Sequence, residues 1–258
     1  MPLLCQDWSI ADGIGGPSGR RGSEGHTSQS PDDNLDLRHR GWNDRRVFRD
    51  RIQAGGGLAA ALPDLRGRPN ATIIGLARGG VEVGAEMARL LELPMDVLCI
   101  KKVPMPGYPE LAMGAVAPQG ERFTNRRIAS ALSTREIEAA YDAATAEARA
   151  MDERLRGGVP LNLAGRIAVI VDDGAATGAS VRAALAAVRN AMARQLIIAL
   201  PVLPQPAAER MARECDRLVT LRAPQRFRAV GQFYEEFPPV SEERVRQLLL
   251  EHQPAVEV

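Results

Sequence analysis

The chain has 258 residues, which is enough for one domain with a substantial core and a tail or small subdomain. Its 33 Lys and Arg nearly balance 32 Asp and Glu, so no overall charge favours a nucleic acid or an anionic membrane as a partner. The cysteines Cys5, Cys99 and Cys215 are far apart and lack CxxC spacing, which argues against a disulfide framework and a zinc site. Because no long apolar run and no signal-peptide core occur, we expect a cytoplasmic protein with no membrane contact.

The histidines also restrict the chemistry. His26, His39 and His252 all lie near the ends of the chain. A Ser-His or Cys-His catalytic pair inside the core is therefore not expected. Any catalysis should use carboxylates, cations, backbone dipoles or a metal ion.

The first part of the chain differs in composition from the rest. Residues 1–43 are rich in Gly, Ser, Asp and Arg without hydrophobic periodicity, which predicts a disordered N-terminal extension. The folded domain should then cover residues 44–258. A helical pattern begins at residue 44 and places on one side Phe48, Ile52, Ala59 and Leu62. Three glycines at 55–57 interrupt it at a cost of roughly 1 kcal/mol each relative to Ala, so we expect a bent or frayed helix.

Strands and helices alternate along the remaining chain. Short apolar runs predict strands over residues 71–77, 95–100, 167–171, 195–203 and 217–223. Amphipathic patterns predict helices over residues 81–93, 133–158, about 180–192, 206–215 and 241–252. The clearest helix is 133–158, where Ser133 and Glu136 form a capping box and Gly157 ends the pattern.

Two segments interrupt this alternation. Residues 101–116 carry three prolines and two glycines and should be a long loop flanking a short strand. Residues 224–239 form an irregular aromatic segment. Strands that are apolar throughout, alternating with helices, predict an α/β fold with a mostly parallel sheet covered by helices on both faces. A small hood subdomain should come from about 103–130 and 224–240.

Polar residues follow three of the predicted strands. "ARGG" (77–80) follows the first, "KK" (101–102) the second, and "DDGAATGAS" (172–180) the third. Ligands bind at the carboxyl ends of parallel strands, so these groups should meet at one site. Loop 174–179 can bring backbone N–H groups to a phosphate, and the hydroxyls of Thr177 and Ser180 can donate to it. The carboxylates should instead face hydroxyl groups or a divalent cation. A ligand with both phosphates and a diol would satisfy all three segments.

The segment "VIVDDGAATGAS" resembles the phosphoribosyl-pyrophosphate (PRPP) binding signature of type I phosphoribosyltransferases. The similarity extends to "LARGGVEVGAEMA", "KKVPMPGYPELAMGA" and "APQRFRAVGQFYEEF", and covers roughly residues 45–252. The chain resembles, in particular, uncharacterised bacterial proteins with a phosphoribosyltransferase domain. The acidic pair followed by the T-G loop is a fairly specific signal, whereas "RGG" alone is weak.

This resemblance implies a role for each matching residue. Asp172 and Asp173 would hold the ribose hydroxyls and help place Mg²⁺ bound with PRPP. The 5-phosphate would be wrapped by the following loop, which consists of Gly174, Ala175, Ala176, Thr177, Gly178, Ala179 and Ser180. Segment 103–114 would correspond to the flexible loop that closes over the site.

The pyrophosphate end of the ligand would have its own binding groups. The resemblance implies a pyrophosphate loop formed by Arg78, Gly79 and Gly80, in which this family often has a non-proline cis peptide. Lys101 and Lys102 would reach the pyrophosphate, although strand alternation suggests that only one of them points into the site. Arg78 and Lys102 would act as catalytic residues by stabilising the departing pyrophosphate.

The acceptor is less defined than the donor. In the 6-oxopurine branch of the family, an Asp that assists at the base precedes the T-G pair, whereas this chain has Ala176, as in the adenine branch. A hypoxanthine- or guanine-type mechanism is therefore disfavoured. Among the aromatic residues of segment 224–239, Phe227 and Tyr234 are candidates for stacking on a planar acceptor. The alternative is that these rings simply pack a C-terminal cap.

The residues and the resemblance together predict a Mg²⁺-dependent phosphoribosyltransferase. The enzyme would transfer the 5-phosphoribosyl group of PRPP to a nitrogen acceptor, which we expect to be a nucleobase, and release pyrophosphate. The expected partners are these small molecules, and a homodimer is compatible with the prediction. A non-catalytic PRPP-sensing regulator is the main alternative, and a nucleoside phosphorylase-like activity is a third.

Overall fold

The structure is a computed structural model of the chain, which describes residues 47–252 and the backbone of 35–37. The strands within these residues are β1 (Leu35–Leu37), β2 (Ala71–Leu76), β3 (Met95–Leu98), β4 (Lys101–Met105), β5 (Tyr108–Val116), β6 (Arg122–Thr124), β7 (Ile167–Val171), β8 (Gln195–Val202) and β9 (Arg217–Arg222). The α-helices are α1 (Arg51–Ala61), α2 (Gly79–Leu91), α3 (Arg126–Ala129), α4 (Thr134–Arg156), α5 (Ala179–Asn190), α6 (Gln205–Met211) and α7 (Glu242–Glu251). Short 3₁₀ turns lie at Pro63–Leu65, Ala212–Glu214 and Val230–Phe233. In the described part of the chain, no helix is long and apolar enough to cross a bilayer.

The main sheet has the strand order β1-β9-β8-β7-β2-β3, and all neighbouring strands are parallel. Successive side chains of a strand point to opposite faces, so Ile73 and Ile74 of β2 enter different cores. Helices α1, α2 and α7 cover the face of Ile73, and α5 and α6 cover the face of Ile74. The predicted α/β architecture is confirmed, because strands buried on both faces read as continuous apolar runs.

Helix α1 differs from its prediction. It is continuous from Arg51 through the three glycines to Ala61, and Asp50 caps it by accepting a hydrogen bond from Gln53 N at 2.7 Å. A Cβ on Gly55 would lie 2.6 Å from the carbonyl oxygen of Val83, so glycine permits close packing of α1 on α2. Ile52, predicted to be on the buried side, is 46% exposed.

The segment 101–116 also differs from its prediction as a long loop. β4, β5 and β6 form a separate antiparallel sheet, in which the hairpin β4–β5 spans most of the segment. Val103, Met113 and Val116 of this sheet pack on Tyr141 and Ala144 of α4. The pairing shifts register on both sides of Pro104, where a proline in a strand can be accommodated. The prolines and glycines therefore mark an irregular hairpin rather than a loop.

Helix α4 confirms its prediction in detail. Ser133 Oγ accepts from Glu136 N at 3.3 Å, Ser133 N donates to the Glu136 carboxylate at 2.8 Å, and Gly157 ends the helix at φ 67°. At the other end of the chain, residues 35–37 pair with β9 although the sequence predicts disorder there. The rest of the predicted extension, residues 1–34 and 38–43, lies outside the described residues.

Candidate active site

The carboxyl ends of β2 and β7 open into a cavity of about 860 Å³. The hairpin β4–β5 and helix α4 form one side of it, and segment 230–237 forms another. The residues that line it are Leu76, Ala77, Arg78, Gly79, Ile100, Lys101, Lys102, Pro104, Pro109, Glu110, Ala112, Ala140, Ala143, Ala144, Glu147, Asp172, Asp173, Gly174, Ser180, Val230 and Phe237. All three polar strand ends singled out in the sequence contribute to this wall.

The acidic pair follows directly after β7, whose five residues are all buried. Asp172 accepts a hydrogen bond from Asp173 N at 2.9 Å, and Asp173 Oδ2 lies 2.9 Å from Nε of Arg51. Burial and the neighbouring charge of Asp173 raise the pKa of Asp172 well above its usual range. Burial also raises the pKa of Asp173, although Arg51 opposes that shift. A cation or hydroxyl donors at this position would therefore stabilise the charged pair.

The loop after the acidic pair leads into the N-terminus of α5. Gly174 has φ 147° and fits between Val202 and Val230, where a Cβ would come within 2.7 and 2.8 Å of their side chains. Gly178 has φ 76° and precedes the first residue of α5, and no described side chain caps this helix. Ala176 and Thr177 are exposed, while Ser180 lies in the cavity wall. Small exposed residues before an uncapped helix N-terminus suit a phosphate.

The segment Arg78–Gly80 lies against the acidic pair. The Ala77–Arg78 peptide is cis, and α2 begins at Gly79. A Cβ on Gly79 would collide with the Asp173 carboxylate, and one on Gly80 would lie 2.8 Å from Cα of Asp172. Glycine at both positions therefore lets the N-terminus of α2 approach the carboxylates. Arg78 is exposed and lines the cavity.

The two lysines begin β4 on the opposite side of the cavity. Both line it, whereas strand alternation predicts only one in the site. Lys101 Nζ forms an ion pair with Glu147 of α4 at 3.0 Å. Lys102 acts electrostatically on both aspartates and lowers their pKa values against the effect of burial. Lys102 is therefore the lysine more closely linked to the acidic pair.

The aromatic candidates for the acceptor pocket are placed differently from the prediction. Phe227 stacks on Phe233 with ring centroids 5.5 Å apart, and Tyr234 is 6% exposed and donates its hydroxyl to Asp173 O at 2.7 Å. These rings belong to the packed core, and the aromatic ring found in the cavity wall is that of Phe237. The alternative interpretation, a packed cap, therefore applies to Phe227 and Tyr234.

Sequence reasoning missed Arg51. The sequence shows no basic residue near "DDGAATGAS", yet Arg51 is 5% exposed and contacts Asp173 across 122 positions of the chain. No local motif marks it, because it lies in a helix that is distant in sequence. Only the packing of α1 beside the end of β7 brings the two residues together.

The chain has a parallel α/β fold whose strand ends combine an acidic pair, a glycine-containing loop and basic residues around one cavity. Residues 49–235 match the family described as "Phosphoribosyl transferase domain", and the chain belongs to this family.

Relatives with substantial identity are known from two organisms. The Mycobacterium tuberculosis protein named "Putative phosphoribosyl transferase Rv0571c" is 39% identical over 205 residues, which are 78% of this chain and 46% of that protein. The chain thus spans less than half the length of the curated relatives it matches. The crystal structure of TT1426 from Thermus thermophilus is 39% identical, covers 81% of this chain and 100% of its own, and has a TM-score of 0.67.

Proposed function

We propose that this chain catalyses Mg²⁺-dependent transfer of the 5-phosphoribosyl group from PRPP to a nitrogen acceptor, with release of pyrophosphate. The observation that carries the proposal is the placement of Asp172–Asp173, loop 174–180, the Arg78–Gly80 segment and Lys102 around one cavity. The groups differ in charge, and each suits a different part of the same ligand. Family membership independently supports this class of chemistry.

The donor would bind with its phosphate and sugar on adjacent groups. The 5-phosphate would lie at the N-terminus of α5, where backbone N–H groups and the Thr177 and Ser180 hydroxyls can donate to it. The ribose hydroxyls would donate to the carboxylates of Asp172 and Asp173. Since Arg51 holds Oδ2 of Asp173, Oδ1 is the oxygen that remains for the ligand.

The residues of this chain would bind and orient, without a need for a histidine base. The bond between C1 of the ribose and a pyrophosphate oxygen breaks, its electron pair leaves with pyrophosphate, and the acceptor nitrogen forms the new bond to C1. Positive charge develops on the ribose while negative charge grows on the leaving group. Arg78 and Lys102 would stabilise the leaving group, and the acidic pair would fix the ribose.

The donor set fits a magnesium ion that arrives with its substrate. No group of three or more metal-ligating side chains occurs among the described residues, so the aspartates alone do not enclose a metal. Mg²⁺ is often held by one or two carboxylates together with substrate phosphates, and the unfavourable burial of Asp172 and Asp173 fits a cation there. When bound, Mg²⁺ would neutralise charge on the pyrophosphate.

The acceptor is proposed to be a nucleobase or another nitrogen nucleophile. The Ala at position 176 supplies no carboxylate to a 6-oxopurine, so acceptor recognition has to come from elsewhere in the cavity. Phe237 offers an aromatic face there, and takes the place of Phe227 and Tyr234 in this proposal. We further propose that residues 44–258 form the domain, with a hood from about 103–130 and 224–240.

The proposal is tested by offering Mg²⁺-PRPP with a panel of nucleobases and amines and measuring pyrophosphate release. We expect release with at least one acceptor, and loss of release in an Arg78→Gln variant, because the leaving-group charge is then less stabilised. Binding of PRPP without release for any acceptor would instead favour a PRPP sensor. An exposed arginine on another surface, Arg210→Gln in α6, serves as the matched control.

A further inference from the structure

Arg51 makes contacts with three separate parts of the molecule. Its Nε lies 2.9 Å from Asp173 Oδ2, and a second guanidinium nitrogen, Nη2, lies 2.9 Å from the same oxygen. Its Nη1 donates to the carbonyl of Pro238 at 2.8 Å, and the guanidinium lies 3.9 Å from the ring centroid of Phe237. One buried side chain therefore connects α1 with the acidic strand end and with the C-terminal segment.

The position of Arg51 in α1 is electrostatically unfavourable in isolation. It is the first residue of the helix, where the helix dipole is positive, and it is 5% exposed. A buried cation at the positive end of a helix needs a compensating anion. Asp173 supplies that anion at 2.9 Å, and Glu82 lies farther away at 3.6 Å. The side chain is thus held where it is mainly by its contact with the acidic pair.

The two ends of this connection belong to different walls of the cavity. Asp173 lies on the wall that would hold the ribose, and Phe237 lies on the wall formed by segment 230–237. Gly231 lies beside the same ring, with a Cβ position 3.1 Å from Phe237 Cδ1. A shift of Phe237 or of Pro238 would therefore be transmitted to the carboxylate through a single guanidinium.

We infer that Arg51 is a positioning residue, which orients the Asp173 carboxylate for the ribose of PRPP and ties it to the Phe237 wall of the cavity. This inference rests on the proposed function. Arg51 itself would not touch the reacting atoms, because its guanidinium is already occupied by Asp173 and Pro238.

The chain offers a matched control for a buried Arg–Asp pair. Arg156 contacts both carboxylate oxygens of Asp96 at 2.8 Å, and its side chain is 8% exposed, against 6% for Arg51. This pair borders a different cavity, which is lined by residues from the beginning of β2 and β3. Replacing Arg156 breaks a comparable ion pair without changing the proposed PRPP site.

The test compares Arg51→Met, Arg51→Lys and Arg156→Met by titration calorimetry with Mg²⁺-PRPP. We expect Arg51→Met to weaken PRPP binding by roughly 10–100-fold, the range typical of groups that orient a ligand-binding side chain. Arg51→Lys should lie between Arg51→Met and the parent, because it keeps the charge but loses the planar contacts. Arg156→Met should bind PRPP like the parent, even if its stability falls.

Amide hydrogen exchange of the ligand-free variants gives a readout that does not depend on PRPP. Arg51→Met should speed exchange in both segments, 172–180 and 230–240, whereas Arg156→Met should change neither. Unchanged exchange in both segments, or PRPP binding by Arg51→Met equal to that of the parent, would overturn the inference. A parent that fails to bind PRPP while the exchange pattern appears as expected would overturn the proposed function but retain the connection through Arg51.

Discussion

Asp172 lies at the end of β7 in surroundings that disfavour its charged form. Burial and the adjacent Asp173 raise the pKa of Asp172, while Lys102 and Arg51 only partly oppose this effect. A fold selected for stability alone would not place two carboxylates here. The arrangement is consistent with a site whose charges are compensated by a ligand.

This environment predicts that Asp172→Asn stabilises the ligand-free protein at neutral pH. The folded-state pKa of Asp172 is raised above its unfolded value, so the parent loses stability as pH rises through the unfolded pKa towards the folded one. The neutral amide avoids that loss, and we expect a gain of about 0.5–2 kcal/mol in the free energy of unfolding at pH 7. The gain should shrink as pH is lowered.

Urea unfolding with a metal chelator at several pH values measures this difference. The exposed Asp142→Asn in α4 is the control, and it should change stability by less than about 0.5 kcal/mol. A destabilised Asp172→Asn at pH 7, or a gain that does not depend on pH, would contradict the prediction.

At the scale of single elements, α1 shows how three glycines can serve a helix. Gly55 faces α2, where a Cβ would lie 2.6 Å from Val83 O, whereas a Cβ on Gly56 would lie 3.9 Å from Leu90 Cδ1. The first glycine is therefore required by packing, and the second has space for a methyl group.

These distances predict opposite effects of the same substitution at adjacent positions. Gly56→Ala should raise the free energy of unfolding by roughly 0.5–1 kcal/mol, because alanine restricts the unfolded chain and favours the helix. Gly55→Ala should lower it by about 1–3 kcal/mol, because α1 and α2 must separate. Thermal and urea unfolding of the two variants measure both values. Equal effects of the two substitutions would show that close packing at Gly55 is not needed.

The elements differ in how well the sequence predicts them. Strands such as β2 and β7 are predictable, because burial on both faces leaves a continuous apolar run. The sequence predicts a loop in place of the β4–β5 hairpin, since its prolines indicate a break while the register shift around Pro104 that accommodates one of them is visible only in the structure. The position of α1 relative to β7 depends on tertiary packing, which local patterns do not encode.

At the scale of the whole molecule, the cavity combines parts that are distant in sequence. The acidic pair, its loop and Arg78–Gly80 are identifiable because each follows a recognisable strand. The contribution of Arg51, and the choice of Phe237 over Tyr234 for the cavity wall, cannot be derived in the same way. An irregular aromatic segment has no periodicity that shows which rings face the core.

The central claim is that this cavity binds PRPP through the acidic pair, and ligand-induced thermal stabilisation tests it most directly. Mg²⁺-PRPP at about 100 times its Kd should raise the Tm of the parent by roughly 5–10 °C, whereas the Asp172→Asn/Asp173→Asn double variant should show little or no increase from its own baseline. An equal increase in both proteins, or none in the parent, would contradict the account.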